Sequence, residues 1–297
     1  MFATYISLVF TTLFWGGTFI AGRILGASVT PSNSAFLRFA VATLVLAVLT
    51  RFIDGKIMMP PRQVRLKLLL LGLTGVFSYN IFFFLGLQHI EAGRASLIIA
   101  LNPLMITIAA VLFLQEKLRP LQFLGIIISL VGALFVITNG HPSLLFKGGF
   151  GKGEAAILGC VLSWTAYSLI GRSVLATLPP LTSVFYSSLI GTILLFPLAL
   201  SQRALGEIFT FSKTEWSSVL FLGIFGTAIG FSLYYMAIRK IGASRSSVFI
   251  NLVPLFSILL SWLLLGESIK VTVLTGGIIL LSGVYLTNRP VPQSEKK

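Results

Sequence analysis

Charged positions divide this chain into long apolar runs. Stretches free of Asp, Glu, Lys and Arg cover 1–22, 24–37, 39–50, 68–90, 95–115, 120–146, 155–171, 173–202, 216–238, 246–266 and 271–288. A helix needs about 20 apolar residues to cross roughly 30 Å of hydrocarbon. Arg38 alone interrupts the second and third runs, so they read as one helix starting near Ser32. The pattern predicts ten spans, at about 3–22, 32–50, 67–88, 94–114, 119–138, 154–171, 181–200, 216–238, 245–265 and 270–288. The runs lack the alternation of period two that a membrane barrel shows. The expected fold class is therefore all-α and integral to the membrane, a bundle of ten transmembrane helices. The first run lacks a basic leader and a small-residue cleavage site, and its first positive charge is Arg23. It reads as a retained first span rather than a signal peptide.

Composition supports this reading. Of the 297 residues, 56% are hydrophobic and 10% charged, with a mean hydropathy of +0.97. A soluble domain carries about 25% charged residues, so an ordinary soluble enzyme, a disordered chain and a disulfide scaffold are excluded. The net charge of +14 acts mainly as a topology signal. With the N-terminus inside, cytoplasmic segments hold 14 Lys and Arg, external segments hold 7, and Arg38 lies within a span. That bias places both termini in the cytoplasm of a bacterial inner membrane. No basic run interleaved with aromatics stands in a polar domain, so nucleic acid is not an expected partner. The partners expected are the lipid bilayer and a small-molecule substrate. Cys160 is the single cysteine, and no Cys/His cluster has metal spacing, so neither a metal nor another cofactor is expected.

The chain also matches itself at an offset of about 150 residues. Trp15, Gly22 and Arg23 fall on Trp164, Gly171 and Arg172. At an offset of 151, Arg94, Pro103 and Glu116 fall on Arg245, Pro254 and Glu267, and Gly125 and Gly132 fall on Gly276 and Gly283. The expected organisation is two five-helix repeats, 1–150 and 151–297. Five spans per repeat is an odd number, so the second repeat enters the membrane from the opposite side. This is the inverted repeat of many transporters. Two complete repeats in one chain mean that a monomer suffices, with a dimer left open.

Short motifs add a resemblance. Phe14-Trp15-Gly16-Gly17 through Arg23, Leu37-Arg38-Phe39, Leu101-Asn102-Pro103-Leu104 and Leu114-Gln115-Glu116-Lys117-Leu118 look like the EamA-type repeat of the drug/metabolite transporter superfamily. A second copy follows in Leu162-Ser163-Trp164, Leu252-Val253-Pro254-Leu255 and Leu265-Gly266-Glu267-Ser268. It departs in helix seven, where Ser187 stands at the position of Arg38. The resemblance implies a ten-helix exporter or permease of small metabolites, with a cavity lined mainly by helices one, three, four, six, eight and nine.

Polar groups at membrane depth are costly and mark functional positions. Asn102 beside Pro103, and Asn251 near Pro254, read either as weakened helix centres facing a substrate or as satisfied kinks. Trp15, Thr18, Tyr79, Asn80, Phe83, Trp164 and Tyr167 lie too deep for the interfacial aromatic belt. They read either as an aromatic substrate cavity or as bundle packing. Tyr234 and Tyr235 read as belt residues. Arg38 reads as a snorkelling side chain or, more sharply, as a carboxylate or phosphate partner at the mouth. Gly22-x-x-x-Gly26 and Gly226-x-x-x-Gly230 read as close helix contacts.

All eight acidic residues fall at span ends or in loops, as do His89 and His141. Glu116 and Glu267 read as caps of the turns after helices four and nine. His89, Glu91 and Glu154 are the places to look for ion coupling. A midplane carboxylate is missing, which favours a facilitator or exporter of amphipathic metabolites such as amino acids. The alternative is a proton-coupled multidrug or metabolite antiporter. A membrane-embedded lipid-modifying enzyme would need a nucleophile or metal cluster that is not visible, and a channel would need a charged ring or filter loop.

Overall fold

The computed structural model describes residues 2–26, 28–55, 57–89, 95, 98–138, 140, 141, 143, 151–201, 208–265 and 271–288. Their regular structure is helical throughout. Helix α1 is Phe2–Gly26 and α2 is Pro31–Ile53. Helix α3 joins Arg62–Leu71, a π-helical turn Gly72–Ser78 and Tyr79–His89. Then come α4 (Asn102–Leu114), α5 (Pro120–Ile137), α6 (Lys152–Val174) and α7 (Pro180–Ser201). Helix α8 repeats the make-up of α3, as Lys213–Phe221, a π-helical turn Leu222–Ile229 and Gly230–Ile241. Helix α9 joins Ala243–Ser247, a 3-10 turn Val248–Asn251 and Leu252–Leu265, and α10 is Val271–Asn288. Seven of these helices are long and apolar enough to cross a membrane, and three shorter apolar ones accompany them.

Local sequence explains the boundaries. Pro31 and Pro120 occupy the first turns of α2 and α5, where a missing N–H costs nothing. The π-helical turns fall on matching stretches, Leu71-Gly72-Leu73-Thr74-Gly75 and Leu222-Gly223-Ile224-Phe225-Gly226, 151 positions apart. Buried hydroxyls have no water to bond, so they return to their own helix. Thr11 bonds the Ser7 carbonyl at 2.8 Å and Ser183 the Pro179 carbonyl at 2.9 Å. Outward-facing large apolar side chains, among them Leu112, Phe113, Leu263 and Ile278, are exposed in the isolated chain and form a lipid-facing surface.

Packing makes the duplication visible. The main contacts include α1–α8, α1–α9, α2–α8, α3–α6, α4–α6 and α3–α7. Exchanging each helix for the one five places along maps α1–α8 onto α6–α3, α1–α9 onto α6–α4, and α2–α8 onto α7–α3. The remaining large contacts, α2–α7 and α5–α10, map onto themselves. Equivalent residues therefore meet on a pseudo-two-fold axis. Thr43 and Thr192 share a hydrogen bond of 3.1 Å, and the rings of Trp15 and Trp164 lie edge to face at 5.4 Å. Where α5 crosses α10, a Cβ on Gly132 would run into the backbone of Leu280, and one on Gly283 into that of Ser129. These two clashes are the same contact seen from either repeat. With five crossings per repeat, the axis lies in the membrane plane and the repeats are inverted.

The paired glycines behave unequally. Gly226 and Gly230 do pack closely, against Thr18 and the Trp15 indole. Among the described residues, Gly22 and Gly26 have nothing within 4 Å of a would-be Cβ. The close contact expected at the Gly22 motif is absent among the described residues, and this end of α1 packs on α8 through Ala21 and Leu25 instead.

Candidate substrate cavity

A cavity of about 80 Å³ lies where α1, α2, α3, α4, α6, α8 and α9 converge. That exceeds the roughly 10–15 Å³ that one water needs on this measure, so a small organic group fits. The wall starts at the pseudo-axis with Trp15 and Trp164. Phe231 stands edge-on to both indoles, at 6.0 and 5.1 Å. Tyr79 lies 5.5 Å from Trp164 and stacks on Phe83 at 6.0 Å. Deep aromatic faces with few free hydrogen-bonding groups suit an amphipathic ligand.

Trp15 is held by its hydrogen bond. Its Nε1 donates to the Gly226 carbonyl at 3.0 Å, inside the π-helical turn of α8. The same turn lets the Thr227 hydroxyl reach back five residues to the Leu222 carbonyl at 2.9 Å. Thr227 then accepts from Arg38 Nε at 2.8 Å. Helix α2 comes close enough because Gly223 has no side chain. A Cβ there would lie 2.6 Å from Val41 Cγ1 and 3.0 Å from the Arg38 carbonyl. Arg38 thus points into the cavity, and its expected snorkelling toward headgroups is overturned by the Thr227 anchor.

Of the residues singled out in the sequence, Trp15, Thr18, Tyr79, Phe83, Asn102 and Trp164 all border the cavity. Asn80, Tyr167 and Asn251 stand behind it. Asn80 Nδ2 donates to the Val76 carbonyl at 2.6 Å. Tyr167 is fully buried, its ring against Gly75, its hydroxyl 3.4 Å from Ser187 Oγ and its carbonyl accepting from Tyr235. Asn251 donates to Ser129 Oγ at 3.0 Å, tying α9 to α5. The alignment at offset 151 explains the difference between the amides. Asn102 corresponds to Val253, which also borders the cavity, whereas Asn251 corresponds to Ala100.

The prolines sit differently from the mid-helix kinks expected. Pro103 is in the first turn of α4, after a turn at Ala100–Leu101, and Pro254 opens the α-helical part of α9 after its 3-10 turn. Each removes the α-helical donor to the carbonyl four residues back, that of Ile99 or Ile250. Both isoleucines border the cavity, so the helix is interrupted where it faces the opening and not where it faces lipid.

Sequence reasoning missed Ser34, Leu222 and Phe231, which also line the cavity. Ser34 is one helical turn before Arg38 on the same face of α2, a signal that was present. Tyr234 and Tyr235, expected in the interfacial belt, are 1% and 0% exposed. They face inward because α8 lies against α1 and α6 on that side.

The described acidic groups stay outside this wall. Glu116 Oε1 accepts from the Ala243 N–H at 3.1 Å and Oε2 from Ser244 Oγ at 2.7 Å, so it caps the start of α9. Glu154 accepts from the Gly151 N–H at 2.9 Å, and His89 bonds the Leu85 carbonyl within its own helix. Glu91 and Glu267 lie outside the described residues. Cys160 is buried, its Sγ 3.4 Å from the Tyr79 carbonyl.

The EamA-like transporter family matches residues 3–138 and again 151–289. The chain belongs to that family. Within it, the sequence is 29% identical to the uncharacterized transporter YyaM of Bacillus subtilis (strain 168), covering 94% of this chain and 92% of that protein. It is 31% identical to an uncharacterized transporter of Archaeoglobus fulgidus, covering 96% and 98%. It is 27% identical to a probable terminal-alkyne amino-acid exporter of Streptantibioticus cattleyicolor, covering 95% and 92%. A solved crystal structure superposes with a TM-score of 0.75 at 20% identity, covering 96% of this chain and 97% of the other. This EamA-family protein is thus an integral membrane protein of a transporter family. The cavity-lining helices of the family resemblance recur here, and α2 joins them through Ser34 and Arg38.

Proposed function

We propose that this protein moves small amphipathic metabolites, amino acids foremost, across the bacterial inner membrane by alternating access, as an exporter or facilitator. One observation carries the reading. Among the described residues, the cavity on the pseudo-axis between the two repeats is packed shut at one end. At the end shared by α6 and α8, Gly171 receives the ring of Tyr235, whose hydroxyl donates to the Tyr167 carbonyl at 3.0 Å. Arg172 closes the same end by donating to the Ile238 and Arg239 carbonyls at 2.8 and 3.0 Å. At the equivalent end, Gly22 borders the cavity and Phe84 stands where Tyr235 stands in the other repeat. Transport then consists of exchanging these two arrangements, with Phe84 closing over Gly22 as Tyr235 leaves Gly171.

With both termini cytoplasmic, the open end faces outward. The units that rock are the two repeats, 1–150 and 151–297, so one chain suffices. A relative named as a probable amino-acid exporter supports the substrate class. Among the described residues no carboxylate lines the cavity, which favours a substrate gradient over proton coupling as the driving force.

Counterflow in proteoliposomes tests this. Purified protein should exchange labelled amino acids without an imposed proton gradient. Flux that strictly requires a pH gradient would establish the proton-coupled antiporter instead. Folded protein that exchanges no amino acid or amphipathic drug would sink the transport reading.

A further inference from the structure

The polar groups of the cavity are unevenly shared between the repeats. Thr18, Ser34, Arg38, Tyr79 and Asn102 come from the first repeat, whereas the second supplies Trp164, Leu222, Phe231, Ile250 and Val253. Apart from the Trp164 indole, that second wall has no polar side chain among the described residues. Arg38 is the charged group of the wall among the described residues. Among the described residues it forms no ion pair; its Cζ lies 5.3 Å from the centre of the Phe39 ring, and its one hydrogen bond is from Nε to Thr227, which leaves both terminal nitrogens without a hydrogen-bond partner. A charge at membrane depth is expensive unless something of opposite sign visits it. Two further atoms in the same wall are unsatisfied. Asn102 Oδ1 and Ser34 Oγ are buried without a hydrogen-bond partner, in residues only 2% and 3% exposed. Each such atom is costly when dry and unpaired.

The duplication shows that packing does not demand this chemistry. The second repeat has Ser187 for Arg38, Val76 takes the place of Thr227, and Val253 that of Asn102. The bundle builds the same helix contacts with those residues.

We infer that Arg38 is the anion-binding residue of the cavity and that the substrate is an apolar monocarboxylate, held by its carboxylate on the free edge of the guanidinium. The planar fork of arginine suits two parallel bonds to a carboxylate. Asn102 Oδ1, an acceptor without a donor, receives a donor group of the same molecule, as the ammonium of an α-amino acid would supply. The aromatic and aliphatic wall of the second repeat takes the apolar side chain. Amines and amides of the same shape are rejected, because they leave Arg38 unpaired. This inference rests on the cavity being the transport site, and it narrows amphipathic metabolites to carboxylate-bearing ones.

Binding to the purified full chain tests it, read by quenching of tryptophan fluorescence, since Trp15 and Trp164 face the cavity. The probes are the apolar L-amino acids, their primary amides and their decarboxylated amines, in detergent and in vesicles of neutral or anionic lipid. At least one amino acid should bind saturably and its amide and amine about 10- to 100-fold more weakly, the range of one charge-assisted hydrogen bond. Arg38→Gln should remove that discrimination, Arg38→Lys should restore part of it, and Thr227→Val should weaken binding less than Arg38→Gln. Equal binding of acid, amide and amine, or acid binding unaffected by Arg38→Gln, overturns the inference. So does a response to anionic lipid alone, because Arg38 would then hold a headgroup. Amine counterflow by wild-type protein would leave transport standing and defeat the carboxylate inference. Arg38-dependent acid binding without counterflow would do the reverse.

Discussion

Gly22 and Gly171 hold equivalent places in the two repeats, each followed by arginine, yet their surroundings are opposite. Gly171 is filled by an aromatic ring from α8, and among the described residues Gly22 meets nothing within 4 Å. The difference lies in the packing. It arises because Tyr235 is seated and Phe84, its counterpart at offset 151, borders the cavity. In the transport cycle proposed above, the second arrangement is the one with the two ends exchanged.

Breaking the junction between the two ends should have the largest effect. Trp164→Ala removes an indole packed against Trp15, Tyr167, Phe231 and Tyr234. A cost of about 3–5 kcal/mol is expected for a buried tryptophan, visible as a large fall in the melting temperature of the purified protein together with lost counterflow. Next comes Gly171→Ala, which forces a methyl into the ring of Tyr235. The closed end should lose about 1–3 kcal/mol, and hydrogen exchange in 230–241 should rise while that in α5 and α10 stays unchanged. Unchanged exchange there would mean that this end is not a separable closure. Glu116→Gln weakens the cap on α9 and should cost about 1 kcal/mol, the usual worth of a cap, with a modest drop in melting temperature.

The smallest stability effect is the most discriminating. Gly22→Ala adds a methyl to open space and should change stability by less than about 0.5 kcal/mol. Counterflow should nonetheless fall several-fold, because Phe84 can no longer close over that position. Wild-type flux in Gly22→Ala would show that the open end does not close in this way.

Much of the fold was legible in advance because it follows from solvent alone. A chain of ten apolar runs must satisfy its backbone within each run, so helices and their approximate ends come directly from where charge appears. The duplication was legible at Trp15/Trp164 and Pro103/Pro254 because those residues break an otherwise uniform apolar pattern. The π-helical turns were not, since they come from a few glycines whose meaning depends on which helix crosses them. Arg38 is the clearest case. Its depth admits a route to headgroups or a route inward, and only Gly223, by letting α2 approach α8, makes Thr227 available. Tyr234 and Tyr235 were misread for the same reason, as depth says nothing about which side of a helix faces protein.

The sequence by itself determined the spans, the repeat and the residue types at membrane depth, because hydrophobicity and spacing along one chain are local properties. Tertiary structure alone decided which of those residues share a cavity, which repeat supplies its polar groups, and which of two equivalent ends is closed. Those depend on helix rotation and on contacts between residues far apart in the chain, such as Trp15 with Gly226, 211 positions on, and apolar patterning leaves rotation undetermined when nearly every face of a helix is apolar.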